Sequence, residues 1–220
     1  MNENKGLAVI PNEPLGLETV DNSDLVFPRV ILTQALSKFV QEDGLKAGVF
    51  VNSLTKKPIK DTTFIPLIAS KYWDLLKPEG GRMVFEARVT DEKDPRLEGR
   101  QMWTDGDKKA NVNTVLAVIA LVEGAPMVIP FSKSSYKAGK TLLTLAKIHK
   151  GPFFSMKYHL AAIKETKGSN TYFVTEVKAV EEAKESEKVE AYDLYRSLAP
   201  KSKQFNSPDT AGENIEEVPF

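Results

Sequence analysis

Alternation of apolar and polar residues predicts a chain built mainly from β-strands. Residues 82–90 alternate with a period of two, which is the pattern of a half-buried strand. Residues 113–122 form a continuous apolar run with several β-branched side chains, which predicts a strand buried on both faces. Shorter β-favouring runs predict further strands at residues 49–53, 62–68 running on into 71–73, 127–131, 153–164 and 171–180.

The hydrophobic period changes to that of a helix in two places. Apolar residues recur at helical spacing over residues 136–150, and Gly151-Pro152 ends that helix. A second helix is predicted over residues 183–198, before Pro200. Strands, a helix and two final strands are the order of an oligonucleotide-binding (OB) fold, so we predict a mainly β, OB-like five-stranded Greek-key barrel with one or two helices.

Turn residues and composition divide the chain into four parts. Residues 1–24 are expected to form an irregular N-terminal arm, and residues 25–180 the OB-like domain. Residues 181–199 carry the C-terminal helix. Residues 200–220 are polar and acidic, which predicts a flexible, disordered tail.

Composition excludes several classes of protein. The chain contains no cysteine, so it can form neither a disulfide framework nor a thiolate metal site. The longest apolar run, residues 112–122, has about half the length that a membrane span needs, and the first residues lack the pattern of a signal peptide. We therefore expect a protein of the cytoplasm, without a cofactor.

The net charge of zero hides a strong partition. Residues 1–24 carry one base and five acids, net −4; residues 25–180 carry 24 bases and 15 acids, net +9. Residues 181–220 carry five bases and ten acids, net −5. A basic body between acidic ends indicates a polyanionic partner such as nucleic acid.

Motifs for catalysis are weak. Residues 138–142 (Ala-Gly-Lys-Thr-Leu) resemble the end of a phosphate-binding loop, but Ser134 stands where its first glycine is required. His149 and His159 fall in different predicted elements, and the acids of residues 91–107 are interleaved with bases, so no metal site is expected. Glu176 and Lys178 have the E-x-K form that some nucleases use. We expect no enzyme, and a metal-dependent nuclease is kept as an alternative.

Aromatic residues beside cations give a stronger signal. Proteins bind unpaired bases by stacking them on aromatic rings, while lysine and arginine contact the phosphates. Trp73 and Trp103 adjoin charged, turn-rich sequence, which favours exposure of their rings. Arg100 is a second-rank candidate. The predicted contacts with single-stranded DNA are Lys71, Tyr72, Trp73, Arg82, Arg88, Trp103, Lys108 and Lys109.

The last residues carry a resemblance to a known family. Glu216-Glu217-Val218-Pro219-Phe220 resembles the acidic, Pro-Phe-ending tip of bacterial single-stranded DNA-binding proteins, with glutamates where aspartates are usual and Val218 in place of an isoleucine. The organisation of the body is similar to that of bacteriophage single-stranded DNA-binding proteins, which combine a divergent OB domain with an acidic C-terminal tail. No contact residue of the body can be transferred from that likeness.

The resemblance implies a protein that coats single-stranded DNA without sequence specificity during phage replication, recombination or repair. Its tip implies that Glu216, Glu217, Val218, Pro219 and Phe220 dock partner proteins of those processes. The alternatives are the nuclease and a phage adaptor or inhibitor that binds an acidic host protein. The sequence leaves open whether the chain forms a homo-oligomer and whether it anneals strands.

Overall fold

A computed structural model describes residues 26–102 and 110–201 as an antiparallel β-structure with three α-helices. The predicted arm and all but the start of the predicted tail lie outside the described residues. The mainly β prediction is confirmed. The strands are β1 Val30–Leu32, β2 Phe50–Asn52, β3 Thr63–Glu79, β4 Arg82–Val89, β5 Val112–Val122, β6 Ala125–Ser132, β7 Met156–Lys167 and β8 Asn170–Glu182; the helices are α1 Lys38–Gln41, α2 Tyr136–His149 and α3 Glu185–Leu198.

The 17-residue strand β3 organises the sheet. It pairs with β5 along one edge, and with β7 and then β4 along the other, so the strand order is β6-β5-β3-β7-β8 with β4 attached to β3. Strands β1 and β2 form a separate two-stranded sheet. The sequence predicts a strand over residues 62–68 that runs on into 71–73, and the structure extends it to Glu79, where β4 and β5 pair with it on opposite edges.

Both faces of β5 are buried, as the apolar run that makes up most of its sequence predicts. Leu116, Val118, Ala120 and Val122 pack into one cluster with Phe131 and Leu142 of α2. The alternate residues, from Val115 to Leu121, pack into a second cluster that includes Phe27, Ala191 and Leu198 of α3. Helices α2 and α3 therefore cover opposite faces of the sheet.

The sheet is open, which corrects the predicted five-stranded barrel. Val128 of β6 donates its backbone N–H to the carbonyl of Pro28, so residue 128 and its alternate neighbours direct their backbone groups away from β5. Two of those neighbours, Pro126 and Pro130, have no N–H to donate. Within the described residues, β6 and β8 line one groove but do not pair with each other.

A side chain from the segment after β1 bonds to β8 at the gap between β6 and β8. Gln34 Oε1 accepts a hydrogen bond from Phe173 N, and Gln34 Nε2 donates to Phe173 O, both at 2.9 Å. The amide of Gln34 thus takes the place of a peptide group from a neighbouring strand. We call the gap between β6 and β8 the seam.

Close packing explains the glycine at position 139, in the segment that resembles the end of a phosphate-binding loop. Gly139 lies buried in α2, and a Cβ atom there would stand 2.7 Å from Cβ of Phe131. The glycine allows α2 to approach β6 closely, in agreement with the prediction that residues 138–142 are an ordinary helix start. None of the helices within residues 26–102 and 110–201 is long and apolar enough to span a membrane.

Candidate nucleic-acid interface

The two predicted stacking rings of β3 are buried. Tyr72 is 2% exposed and Trp73 is 4% exposed, on opposite faces of the strand. Trp73 packs with Leu75, Val89 and Val112, and burial raises the pKa of the Tyr72 hydroxyl. The expectation that these rings face solvent is wrong, because side chains packed on each face of the sheet cover them, those of the Trp73 cluster on one face and those of the cluster with Ala191 and Leu198 of α3 on the other.

The predicted phosphate contact Arg88 is also buried. Its Nε donates to Asp74 Oδ1 at 2.6 Å and its Nη2 to Asp74 Oδ2 at 3.1 Å, while the guanidinium carbon lies 3.9 Å from the ring centre of Tyr72. Arg88 is 9% exposed and Asp74 is 3% exposed. The pair neutralises itself inside the protein, so the expectation of an exposed guanidinium is wrong as well.

Several exposed cations around β3 and β4 also face carboxylates. Lys71 Nζ lies 3.8 Å from Glu92 Oε1 and 4.7 Å from the ring centre of Trp73. Arg100 donates to Glu86 and to the carbonyl of Leu76. Lys77 pairs with Glu79 and Arg96 with Asp94. Pairing of this kind lowers the positive charge that this region offers to a phosphate.

Of the remaining predicted DNA contacts, the structure describes only Arg82. Arg82 is exposed at the start of β4, beside the turn that follows β3. Trp103, Lys108 and Lys109 lie outside the described residues, as does the whole tip of Glu216, Glu217, Val218, Pro219 and Phe220. The structure therefore gathers Lys71, Tyr72, Trp73 and Arg88 in one region, but presents only Lys71 of the four at the surface.

A basic surface that the predicted contacts do not include lies on α2. Residues 124–164 contain seven lysines and two histidines, and no acid. This run was the available sequence signal, because a stretch without acids supplies no local partner for its lysines. Lys137, Lys140 and Lys147 are exposed on α2, and Lys150, also exposed, follows at its C-cap. These four residues are called the α2 lysine face.

Helical geometry aligns the α2 lysine face. Lys137, Lys140 and Lys147 lie within an arc of about 80° and extend about 15 Å along the axis, at 3.6 residues per turn and 1.5 Å per residue. The Nζ atom of Lys140 lies 5.5 Å from the ring centre of Tyr136. Thr144, between the lysines, donates its hydroxyl to the carbonyl of Lys140. The helix thus presents a row of ammonium groups on one side.

No ion pair joins the α2 lysine face to any described residue. Cations near a helix C-terminus complement its partial negative charge, which accounts for Lys147 and Lys150. Lys137 and Lys140 stand in the first two turns, where cations are unfavourable and acids are preferred, and the first turn contains no acid. An anionic ligand would compensate that arrangement.

The residues of the nuclease alternative form an ion pair. Lys178 Nζ lies 2.9 Å from Glu176 Oε2 on β8. Across the described ranges, no group of three or more histidine, aspartate or glutamate side chains is placed to hold a metal ion. The geometry around Glu176 therefore gives no specific support to a metal-dependent reaction.

Fold and surface together define a mainly β protein, helix-covered on both faces of its sheet, with a row of lysines on one helix. The chain belongs to the Pam3 phage gp34-like protein family, whose model matches residues 6–204. The family's description points to a bacteriophage protein, in agreement with the predicted origin. No curated protein and no solved structure matches the chain.

Proposed function

We propose that this protein binds single-stranded DNA without sequence specificity, in phage DNA replication or recombination, and that the α2 lysine face contacts the phosphates. The observation that carries the proposal is the row of exposed lysines without ion-pair partners in the described chain. Lysines that neutralise phosphates release counterions from the nucleic acid, and this release drives sequence-independent binding.

The composition of α2 supports binding without base specificity. Asparagine and glutamine, which read adenine, and aspartate and glutamate, which read cytosine, are absent from α2, all of whose residues the structure describes. The hydroxyls of Thr141 and Thr144 donate to the carbonyls of Lys137 and Lys140, four residues earlier. Contacts to phosphates position a nucleic acid but do not distinguish its sequence.

Strand order supports an OB-like relationship and hence a single-stranded ligand. The order β6-β5-β3-β7-β8 places the long β3 between β5 and β7, and α2 connects β6 to β7. OB folds are partly open five-stranded barrels that bind oligonucleotides, characteristically on the face of their second and third strands. Here β5 and β6 take those positions, and α3 with Phe27 covers that face of β5. Covering of this face favours α2 as the contact surface.

The proposal includes recruitment of partner proteins by residues 216–220. Pro219 and Phe220 would insert into an apolar pocket on a replication, recombination or repair protein, and Glu216 and Glu217 would contact a basic rim. Deletion of residues 213–220 is expected to leave or strengthen DNA binding and to abolish capture of such partners. Unchanged capture would contradict the role of the tip.

Fluorescence anisotropy with a labelled oligo-dT at low salt tests the DNA-binding proposal. The triple variant Lys137→Ala, Lys140→Ala, Lys147→Ala should bind more weakly, and the slope of log affinity against log salt should fall by about 2, at about 0.7 per phosphate contact on single strands. The matched control is Lys56→Ala, Lys77→Ala, Arg96→Ala, which removes three cations that face acids. An equal loss in both variants would contradict the α2 site, and no binding by the unmodified protein would refute the function.

A further inference from the structure

A groove of about 200 Å³ lies at the seam, immediately before α2. Its walls come from β1, the end of β6, the turn of residues 133–135, and Phe173 and Thr175 of β8. Phe50 and Phe131 reach it from the core, and Phe173 is half-buried beside them. The groove is therefore an apolar slot with one accessible aromatic ring.

The ring of Phe173 is held in place from outside the groove. Gly48 has φ +81° and packs against it so closely that a Cβ atom would stand 2.5 Å from Cε1 of the ring. Gln34 fixes the backbone of the same residue through its two hydrogen bonds. A fixed ring costs little entropy when a flat ligand stacks on it.

The polar groups of the groove lie towards α2. Ser134 is exposed, and neither its hydroxyl nor that of Thr175 has a hydrogen-bond partner among the residues that the structure describes. The turn of residues 133–135 leads directly into α2, so Lys137 follows two residues after the groove-lining Ser135. An apolar slot thus adjoins the start of the α2 lysine face.

We propose that the groove at the seam holds one base of the bound single strand, while Lys137 and Lys140 contact the phosphates beside it. This inference rests on the proposed function. A ligand with a flat apolar ring and adjacent negative charges matches both parts of the surface, and stacking on a ring is tolerant of base identity. The hydroxyls of Ser134 and Thr175 would form hydrogen bonds with the polar edge of the base in the groove.

Binding of oligo-dT and of an abasic oligonucleotide of equal length separates base contacts from phosphate contacts. The unmodified protein should prefer oligo-dT by about 5-fold to 150-fold, the range that one stacked base provides. Phe173→Leu removes the ring, and Ser134→Trp fills the groove from an exposed position. Both variants should lose the preference for oligo-dT while their affinity for the abasic oligonucleotide stays unchanged. Phe154→Leu, which removes a half-buried ring from the opposite face of the sheet, is the control and should keep the preference.

The outcomes distinguish the groove from the function. Equal affinity for both oligonucleotides, or a preference that survives in both groove variants, would overturn the groove inference and leave DNA binding intact. Absence of binding to either oligonucleotide would overturn the proposed function together with the inference.

Discussion

Gln34 and Phe173, 139 residues apart, form two hydrogen bonds of 2.9 Å through the side-chain amide of one and the backbone of the other. These bonds join the segment after β1 to the edge of β8 that faces away from β7. One side chain thus satisfies both the N–H and the carbonyl of Phe173 on that edge.

Replacement of Gln34 should loosen the seam. Gln34→Ala leaves the N–H and carbonyl of Phe173 without their partners, which is expected to lower the free energy of unfolding by about 1–2 kcal/mol. Urea denaturation measures the loss, and hydrogen exchange should show faster exchange at the Phe173 amide. Gln41→Ala, at an exposed glutamine, is the control and should change stability by less than about 0.5 kcal/mol. Unaltered exchange at Phe173 would show that the bonds do not hold the seam.

The buried pair of Arg88 and Asp74 should matter for stability. Arg88→Met leaves the carboxylate of Asp74 buried without its partner, and breaking a buried pair in this way costs about 3–5 kcal/mol. The double variant Arg88→Met, Asp74→Leu removes both charges and should recover most of that loss. Chemical denaturation of the single and double variants measures their free energies of unfolding and tests this expectation. A double variant no more stable than Arg88→Met would contradict this account.

A side chain at position 139 should separate α2 from β6. Gly139→Ala introduces a Cβ atom 2.7 Å from Cβ of Phe131, and overpacking of this kind costs about 1–3 kcal/mol. The gain in helix propensity, about 1 kcal/mol, offsets part of that cost. Thermal unfolding measures the difference, with Thr144→Ala on the exposed side of α2 as the control. Stabilisation by Gly139→Ala would show that β6 moves aside without cost.

Attachment of α3 should weaken in acid. A hydrogen bond from the backbone N–H of Lys184, followed by the contact with Lys157, lowers the pKa of Glu187, and Lys188 lowers the pKa of Glu182. Acids with lowered pKa values stabilise the fold above the unfolded-state value of about 4.3, and that stability is lost as the pH falls through the folded-state value. Hydrogen exchange of the α3 amides between pH 6 and pH 3 should show the loss.

The variant Glu187→Gln provides the control for that titration. It retains a side-chain acceptor for the N–H of Lys184 but has no titrating group, so the acid dependence of α3 should flatten. An acid dependence as steep as that of the unmodified protein would assign the effect to other carboxylates.

The sequence predicts the elements better than the contacts between them. The apolar run of β5 from Val115 to Val122 specifies burial on both faces, because no polar residue there marks a solvent side. Tyr72 and Trp73 adjoin Lys71 and Asp74, and their local pattern favours exposure. Apolar side chains from elsewhere in the chain cover both rings and reverse that expectation. Burial by residues that are distant in sequence cannot be predicted from the local pattern of one strand.

The location of the basic surface depends on pairing across strands. Arg88 meets Asp74 because the register of β3 and β4 places them opposite each other, beside an irregularity between Leu75 and Leu76. That register cannot be derived from the alternation of either strand alone. The absence of acids over residues 124–164 indicates the α2 lysine face in the sequence, whereas the pattern of rings beside cations points to β3.

Pro126 and Pro130 affect how β6 can pair with a neighbouring copy of the protein. Copies bound next to one another on a strand of DNA would be held at high local concentration, and exposed sheet edges would then tend to fuse into a continuous intermolecular sheet. An edge with a missing donor at two of its alternate positions cannot sustain such a ladder. The N–H of Val128 between them is already bonded to Pro28, so this edge of β6 offers a neighbouring copy no free donor over residues 126–130.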